Sequence, residues 1–336
     1  MFQSRWFKVQ NEMYFARFND EITKSWQSSF TDNDYSAGKI KNNVAFNKMP
    51  LRDPETILRM AEYQAMIYCK SVFDDLSVIT NMATKNLRVG SFKLETTGYD
   101  YKHALFWYLA SNQAQSSLIL VHRGTSKQNA DDVLVDLDVL TLRQTHPSLK
   151  QDFPYLNFAE KSFVAQGFHS RFKKEQQKVT EAVHQALQKY PTYSFIVVGH
   201  SLGAAWAYLN AGYFAGIPEY ASRLSAVYTF GQPLLGDAAF VDALASKIGI
   251  NKIVRVVNKD DLIPHIGCEK CLQPANVNEK WISNTNGPTK WIDCQGGYDE
   301  TCSSGLECKD LSWENHSSVG NFSMRGEFCR IKANAN

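Results

Sequence analysis

The chain has 336 residues, 44% of them hydrophobic and 21% charged, with a formal net charge of +2. That balance excludes intrinsic disorder, which needs low hydrophobicity and high net charge, and it lacks the basic excess of a nucleic-acid binder. No apolar run approaches the ~20 residues of a membrane span, so no transmembrane segment is expected, and the length allows one large globular domain or two ordinary ones.

Residues 1–52 mix polar and aromatic side chains without a clean period. They are expected to form an N-terminal extension or propeptide-like arm, leaving 53–336 as a single domain. From Pro54, the residues Ile57, Leu58, Met60, Ala61, Ala65 and Met66 recur at helical spacing up to Cys69. Residues 104–109 and 118–121 read as paired strands around a polar turn at 111–117. Residues 139–152 read as an irregular connection. The clearest helix is predicted over 171–190, where Phe172, Val179, Val183 and Leu187 oppose Lys173, Lys174, Glu175 and Glu181, and Pro191 ends it. Apolar strands are predicted at 194–198, 226–230 and 253–257, alternating with helical segments. This order implies an α/β fold with a mostly parallel central sheet covered by helices on both faces.

The first of those strands runs into Gly199-His200-Ser201-Leu202-Gly203 and then into an alanine-rich helix. Strand, G-x-S-x-G, helix is a nucleophile elbow: glycines let the chain turn tightly, and the serine is pushed out at a helix N-terminus that favours developing negative charge. A serine nucleophile needs a base and a carboxylate to orient it, and on this fold they follow in the order Ser, Asp or Glu, His. The loop after residue 257 offers Asp260 and Asp261. His265 lies too close to them in sequence to approach Ser201 from another side, which leaves His316 as the base. The oxyanion needs preorganised donors. The Leu202 backbone N–H is one, and Thr125, in the loop His122-Arg123-Gly124-Thr125 after an earlier strand, is the second.

Cysteine usage bears on the compartment. Six of the seven cysteines lie after residue 267. Such clustering favours disulfides and an oxidising compartment, although Cys268-Glu-Lys-Cys271 also has the spacing of a zinc knuckle. Two N-glycosylation triplets, at Asn315 and Asn321, are consistent with that compartment. No signal peptide is visible near Met1: either Met1 is not the natural start of a secreted chain, the reading favoured here, or the chain is intracellular and its cysteines are reduced.

Arg123-Gly124-Thr125, the elbow at 199–203, Thr229-Phe-Gly-Gln-Pro233, Asn258-x-x-Asp261-x-x-Pro264 and a late histidine together resemble the fungal class 3 lipases over about residues 54–330. The resemblance implies an α/β-hydrolase fold with a short lid, and a secreted (or lumenal) triacylglycerol lipase. It implies Ser201 as nucleophile, Asp261 as the carboxylate that orients His316, and Thr125 with Leu202 as the oxyanion hole. It implies disulfides Cys69–Cys329 and Cys294–Cys302, with Cys268–Cys271 as a third pair and Cys308 left over. It places the lid after Thr125, at Ser126-Lys127 to Asp136, where Val133, Leu134 and Leu137 oppose Asp131, Asp132 and Asp136. The alternative is a phospholipase A1 or a soluble-ester, feruloyl-type esterase on the same scaffold. The expected partners are an ester substrate and a transient lipid–water interface, with no nucleic acid, cofactor or metal. His122 departs from the family, which usually has an apolar or aromatic residue there, and Asn315 stands where many members have Asp.

Overall fold

The computed structural model describes residues 50–68, 88–100, 105–124, 143–266, 274, 277–284 and 288–324. Leu51 and Arg52 already dock on the sheet. The Arg52 guanidinium donates to Asp293 Oδ1 (2.7 Å) and to the carbonyls of Asn278 and Glu279, and the Leu51 carbonyl accepts from Tyr228 Oη at 2.8 Å. Helix α1 (Pro54–Met66) starts where Asp53 caps it by accepting from Glu55 N at 3.0 Å, with proline in the first turn, where its missing N–H is harmless.

Strands β1 (Lys93–Asp100), β2 (Leu105–Asn112) and β3 (Ser117–His122) form an antiparallel meander. The predicted strand pair is there, with its turn at 113–116. Strand β4 (Arg143–Thr145), helix α2 (His146–Asp152) and strand β5 (Phe163–Ala165) follow. From Arg143 on, the segment read as irregular is therefore regular structure. Its strand is three residues long and exists because Phe163–Ala165 supplies the partner, a distant pairing that local periodicity does not encode. Helix α3 (Gln166–Lys189) begins five residues earlier than the predicted start, because Phe168 and His169 also turn inward. Then come β6 (Ser194–His200), α4 (Leu202–Gly216), the short α5 (Pro218–Ala221), β7 (Leu224–Phe230), α6 (Ala238–Ile248), β8 (Ile253–Asn258), β9 (Glu279–Ser283) and β10 (Lys290–Asp293). A small hairpin, β11 (Ser318–Val319) and β12 (Phe322–Ser323), closes the described chain.

The main sheet runs β1-β2-β3-β6-β7-β8-β9-β10, parallel from β3 to β9 and antiparallel at both flanks. Successive strand residues point to opposite faces, and both faces are buried. Ile119, Val121, Ile196, Val198, Ala226, Tyr228, Val254 and Val256 pack with Ile57, Met60 and Ala61 of α1. Leu118, Leu120, Phe195, Val197, Val227 and Ile253 pack with α3, α4 and α6. Burial on both faces is why the central strands read as mostly apolar runs rather than alternating ones. Helix α4 is apolar all round because it lies between the sheet and its neighbours α3 and α6.

The described residues contain the Cys294–Cys302 disulfide. It packs with Val257 and Trp281 beside the end of the sheet. Cys69, Cys268, Cys271 and Cys329 lie outside the described residues. Closing so short a loop (sequence separation 8) constrains the unfolded chain by about 2.5 kcal/mol. Replacing both Cys294 and Cys302 by alanine is therefore expected to lower the unfolding free energy by about that amount in a denaturant titration, with the activity kept, because the pair touches none of the residues described next.

Candidate active site

The centre of the site is the junction of β6 and α4. Ser201 sits there with φ 57° and ψ −131°. A positive φ on a non-glycine residue is costly, and it persists only where packing over-determines it. Two glycines provide that packing. A Cβ on Gly199 would lie 2.3 Å from the Gly203 carbonyl oxygen, and one on Gly203 would lie 2.4 Å from the His122 carbonyl oxygen. Helix α4 can thus come down onto β6 and against the end of β3 only because both positions lack a side chain. Ser201 N donates to the Phe230 carbonyl at 2.9 Å, which ties the turn to β7. Leu202 opens α4, so its N–H is among those that have no partner within the helix. Thr125 and the whole predicted lid, including Lys127, Asp131, Asp132, Val133 and Leu134, lie outside the described residues.

The other half comes from the loop after β8. Of the two aspartates there, Asp261 lies against His316: His316 Nδ1 is 2.9 Å from Asp261 Oδ2 and 3.0 Å from Oδ1. Both residues are buried. Asp260 points elsewhere and accepts from Asn315 Nδ2. What separates the neighbours is register: Asp261 forms an isolated parallel bridge with Ser312, and adjacent side chains on an extended segment face opposite ways. Asp261 Oδ1 also accepts from Ile263 N at 2.9 Å. His316 Nε2 is buried and has no hydrogen-bond partner among the described residues.

Several residues that hold this arrangement escaped the sequence reading. Asn258, the last residue of β8, donates through Nδ2 to the Asn315 carbonyl (2.9 Å) and Ser318 Oγ (3.0 Å), and accepts from Gly320 N (2.9 Å). One amide thus fastens the histidine loop to the end of the sheet. Gly231, with φ 55°, passes so close that a Cβ would meet Asp261 Oδ2 at 2.7 Å and His316 Cε1 at 2.8 Å. Trp313 packs on the His316 ring, centroids 4.9 Å apart. A signal for Asn258 and Gly231 was present, since both stand in the stretches 229–233 and 258–264 that carry the family resemblance, but spacing alone gives no role to either.

His122, the family departure, closes β3 behind the site. It is buried, and with Trp206 and Asn210 it lines a small cavity between the sheet and α3 and α4. Burial pushes its pKa down to about 3. The unfolded chain binds a proton at this residue near pH 6.5, whereas the folded chain does not. Stability is therefore complete above about pH 6.5 and is lost as the pH falls toward 3, by roughly 1.4 kcal/mol per pH unit. His169 and His265, also lowered by burial, act in the same direction. Urea titrations between pH 7 and pH 5 are expected to show this fall, and His122→Leu should flatten it.

Comparison with known proteins bears on the fold and the family. Residues 119–270 match the model of the family described as lipase (class 3). A lipase of Rhizomucor miehei is 32% identical over 156 residues, 44% of this chain and 38% of its own length. A lipase of Rhizopus niveus is 25% identical over 288 residues, 85% of this chain and 64% of its own length. The chain thus spans between about two fifths and two thirds of these curated relatives. A secreted mono- and diacylglycerol lipase A of Penicillium camembertii is 26% identical over 259 residues, 73% of this chain and 76% of its own length. Among solved structures, Rhizomucor miehei triacylglyceride lipase superposes with a TM-score of 0.66 at 23% identity, covering 81% of this chain and 95% of that one. Lipase II of Rhizopus niveus gives 0.67 at 22% identity, covering 82% and 96%. The architecture is the α/β-hydrolase fold, as expected from the sequence.

Proposed function

We propose that this relative of the fungal class 3 lipases hydrolyses the carboxylic esters of lipids, triacylglycerols first, through an acyl-enzyme formed on Ser201. The observation that carries the proposal is the buried His316. Its Nδ1 is held by Asp261 while its Nε2 has no partner among the described residues, and its ring lies 4.5 Å, centroid to centroid, from the ring of His200, the residue before the nucleophile.

The steps follow from the chemistry of the groups. Ser201 Oγ attacks the ester carbonyl as its proton passes to His316 Nε2, and Asp261 fixes the tautomer that leaves Nε2 able to accept and stabilises the imidazolium that forms. The carbonyl oxygen becomes an oxyanion facing the Leu202 N–H and Thr125. His316 then returns the proton to the departing alcohol, and water releases the fatty acid by the same path in reverse. No step calls for a cofactor. The amphipathic stretch at 131–137 would cover an apolar cleft in water and open at a lipid surface. Secretion fits the Cys294–Cys302 disulfide and the secreted relatives of Penicillium. Among the described residues no helix is long and apolar enough to cross a membrane.

The test is the initial rate of tributyrin hydrolysis scanned across its solubility limit. A jump above the limit is expected. Smooth saturation below it would replace lid-gated lipolysis by the esterase alternative, and no hydrolysis of any ester would overturn the proposal.

A further inference from the structure

Four residues far apart in sequence form one hydrogen-bonded line through the site. Gly124 N donates to Tyr68 Oη at 3.2 Å, Tyr68 Oη is 2.5 Å from His200 Nδ1, and His200 Nε2 is 2.8 Å from the carbonyl oxygen of His316. The direction of every bond follows from the two ends. The Gly124 N–H can only donate and the His316 carbonyl can only accept. His200 must therefore carry its proton on Nε2, its Nδ1 is an acceptor, and the Tyr68 hydroxyl donates to it while accepting from Gly124. Burial pushes the Tyr68 pKa up, which keeps that hydroxyl protonated. The His200 ring meanwhile lies over His316, tilted by 31°.

The two ends of this line are the two parts of the site that must keep their places. Gly124 precedes Thr125 and lies so close to the nucleophile that a Cβ on it would be 2.8 Å from Ser201 Cβ. The same end of α1 also reaches β3 through Gln64 Nε2, which donates to the His122 carbonyl at 3.1 Å. His316 bears the proton-accepting nitrogen. We propose that Tyr68 and His200 are positioning residues that clamp the oxyanion loop and the base to one another through this line. The inference rests on the ester-hydrolase reading above. Asp261 fixes the histidine by its side chain, whereas His200 fixes it by its backbone and its ring face, so the base is held from two directions. Misplacement of a reacting group by a fraction of an ångström lowers turnover without changing what binds.

Isosteric variants separate this role from packing. Tyr68→Phe and His200→Phe keep an aromatic ring in place and remove the hydrogen bonds, while His200→Gln keeps a donor and an acceptor without a ring. The assay is kcat and KM on a soluble short-chain p-nitrophenyl ester, with melting temperature recorded and the native chain and Ser201→Ala run beside the variants. The expected result is a loss of about tenfold in kcat for both phenylalanine variants. KM should stay within about twofold, the melting temperature should change little, and His200→Gln should regain most of what His200→Phe loses. If His200→Phe does not fold, Tyr68→Phe, which deletes one oxygen atom, decides alone. Native kcat in the phenylalanine variants, or a raised KM with kcat intact, overturns the proposal. A native chain that is itself inactive, or active independently of Ser201, removes the ester-hydrolase reading and the clamp with it.

Discussion

Ser201→Ala is expected to reduce ester hydrolysis by about 10⁴-fold or more while leaving the fold intact. The size of the effect follows from covalent catalysis: without Oγ there is no acyl-enzyme, and only the oxyanion donors and substrate binding remain. The preserved fold follows from the structure, because Ser201 makes no capping bond to α4 and its backbone N–H to Phe230 survives the change. The same site offers a second, opposite readout. With φ at 57°, Ser201 occupies a conformation that glycine adopts at no steric cost. Ser201→Gly should therefore be as inactive as Ser201→Ala yet more stable than the native chain by about 1 kcal/mol, seen as a higher denaturant midpoint. A residue that weakens the fold and is required for turnover is one retained for chemistry. Near-native hydrolysis by a folded Ser201→Ala would remove the nucleophile from the proposed mechanism.

How much of this was legible in the sequence depended on how local the cause was. Strands β6, β7 and β8 were readable because each is buried on both faces and so appears as a mostly apolar run, broken in β8 by Arg255 alone before its last residue. Strand β1 was not: its sequence Lys93-Leu-Glu-Thr-Thr-Gly-Tyr-Asp100 is half exposed, and Gly98 weakens its pattern because the Trp107 ring of β2 occupies the space beside it. Strand β10 stands at the far edge and is four residues long, two exposed and two half-buried, and β9 beside it mixes Glu279 and Lys280 into its buried run. Ser201 was legible because an elbow is made by five consecutive residues. Asp260 and Asp261 could not be separated by spacing, since both precede the same turn. The bridge from Asp261 to Ser312 across the fold makes that choice. Tyr68 and Asn258 act across 132 and 57 residues of sequence, distances over which periodicity and turn chemistry carry no information.

That choice between neighbouring aspartates yields the second large effect. Asp261→Asn is expected to lower kcat by about 10⁴-fold with KM little changed. The carboxylate accepts from His316 Nδ1 through both oxygens. A carboxamide presents an NH₂ group to that nitrogen in place of one of them. The imidazole then gains by moving its proton to Nε2, which leaves the wrong nitrogen facing Ser201 and nothing to stabilise the imidazolium. The fold should tolerate the change, because the amide oxygen can still accept from Ile263 N and no new volume is added at a position that is 1% exposed. Asp260→Asn supplies the contrast. Asp260 accepts from Asn315, beside the base but not from it, so its loss should cost less than about tenfold, by loosening the loop rather than by altering the proton's position. Measured side by side on one soluble ester, at equal concentrations of folded protein checked by circular dichroism, the two variants should differ by about a thousandfold. Equal losses, or a larger one at Asp260, would mean that the pairing of Asp261 with His316 does not set the tautomer during turnover.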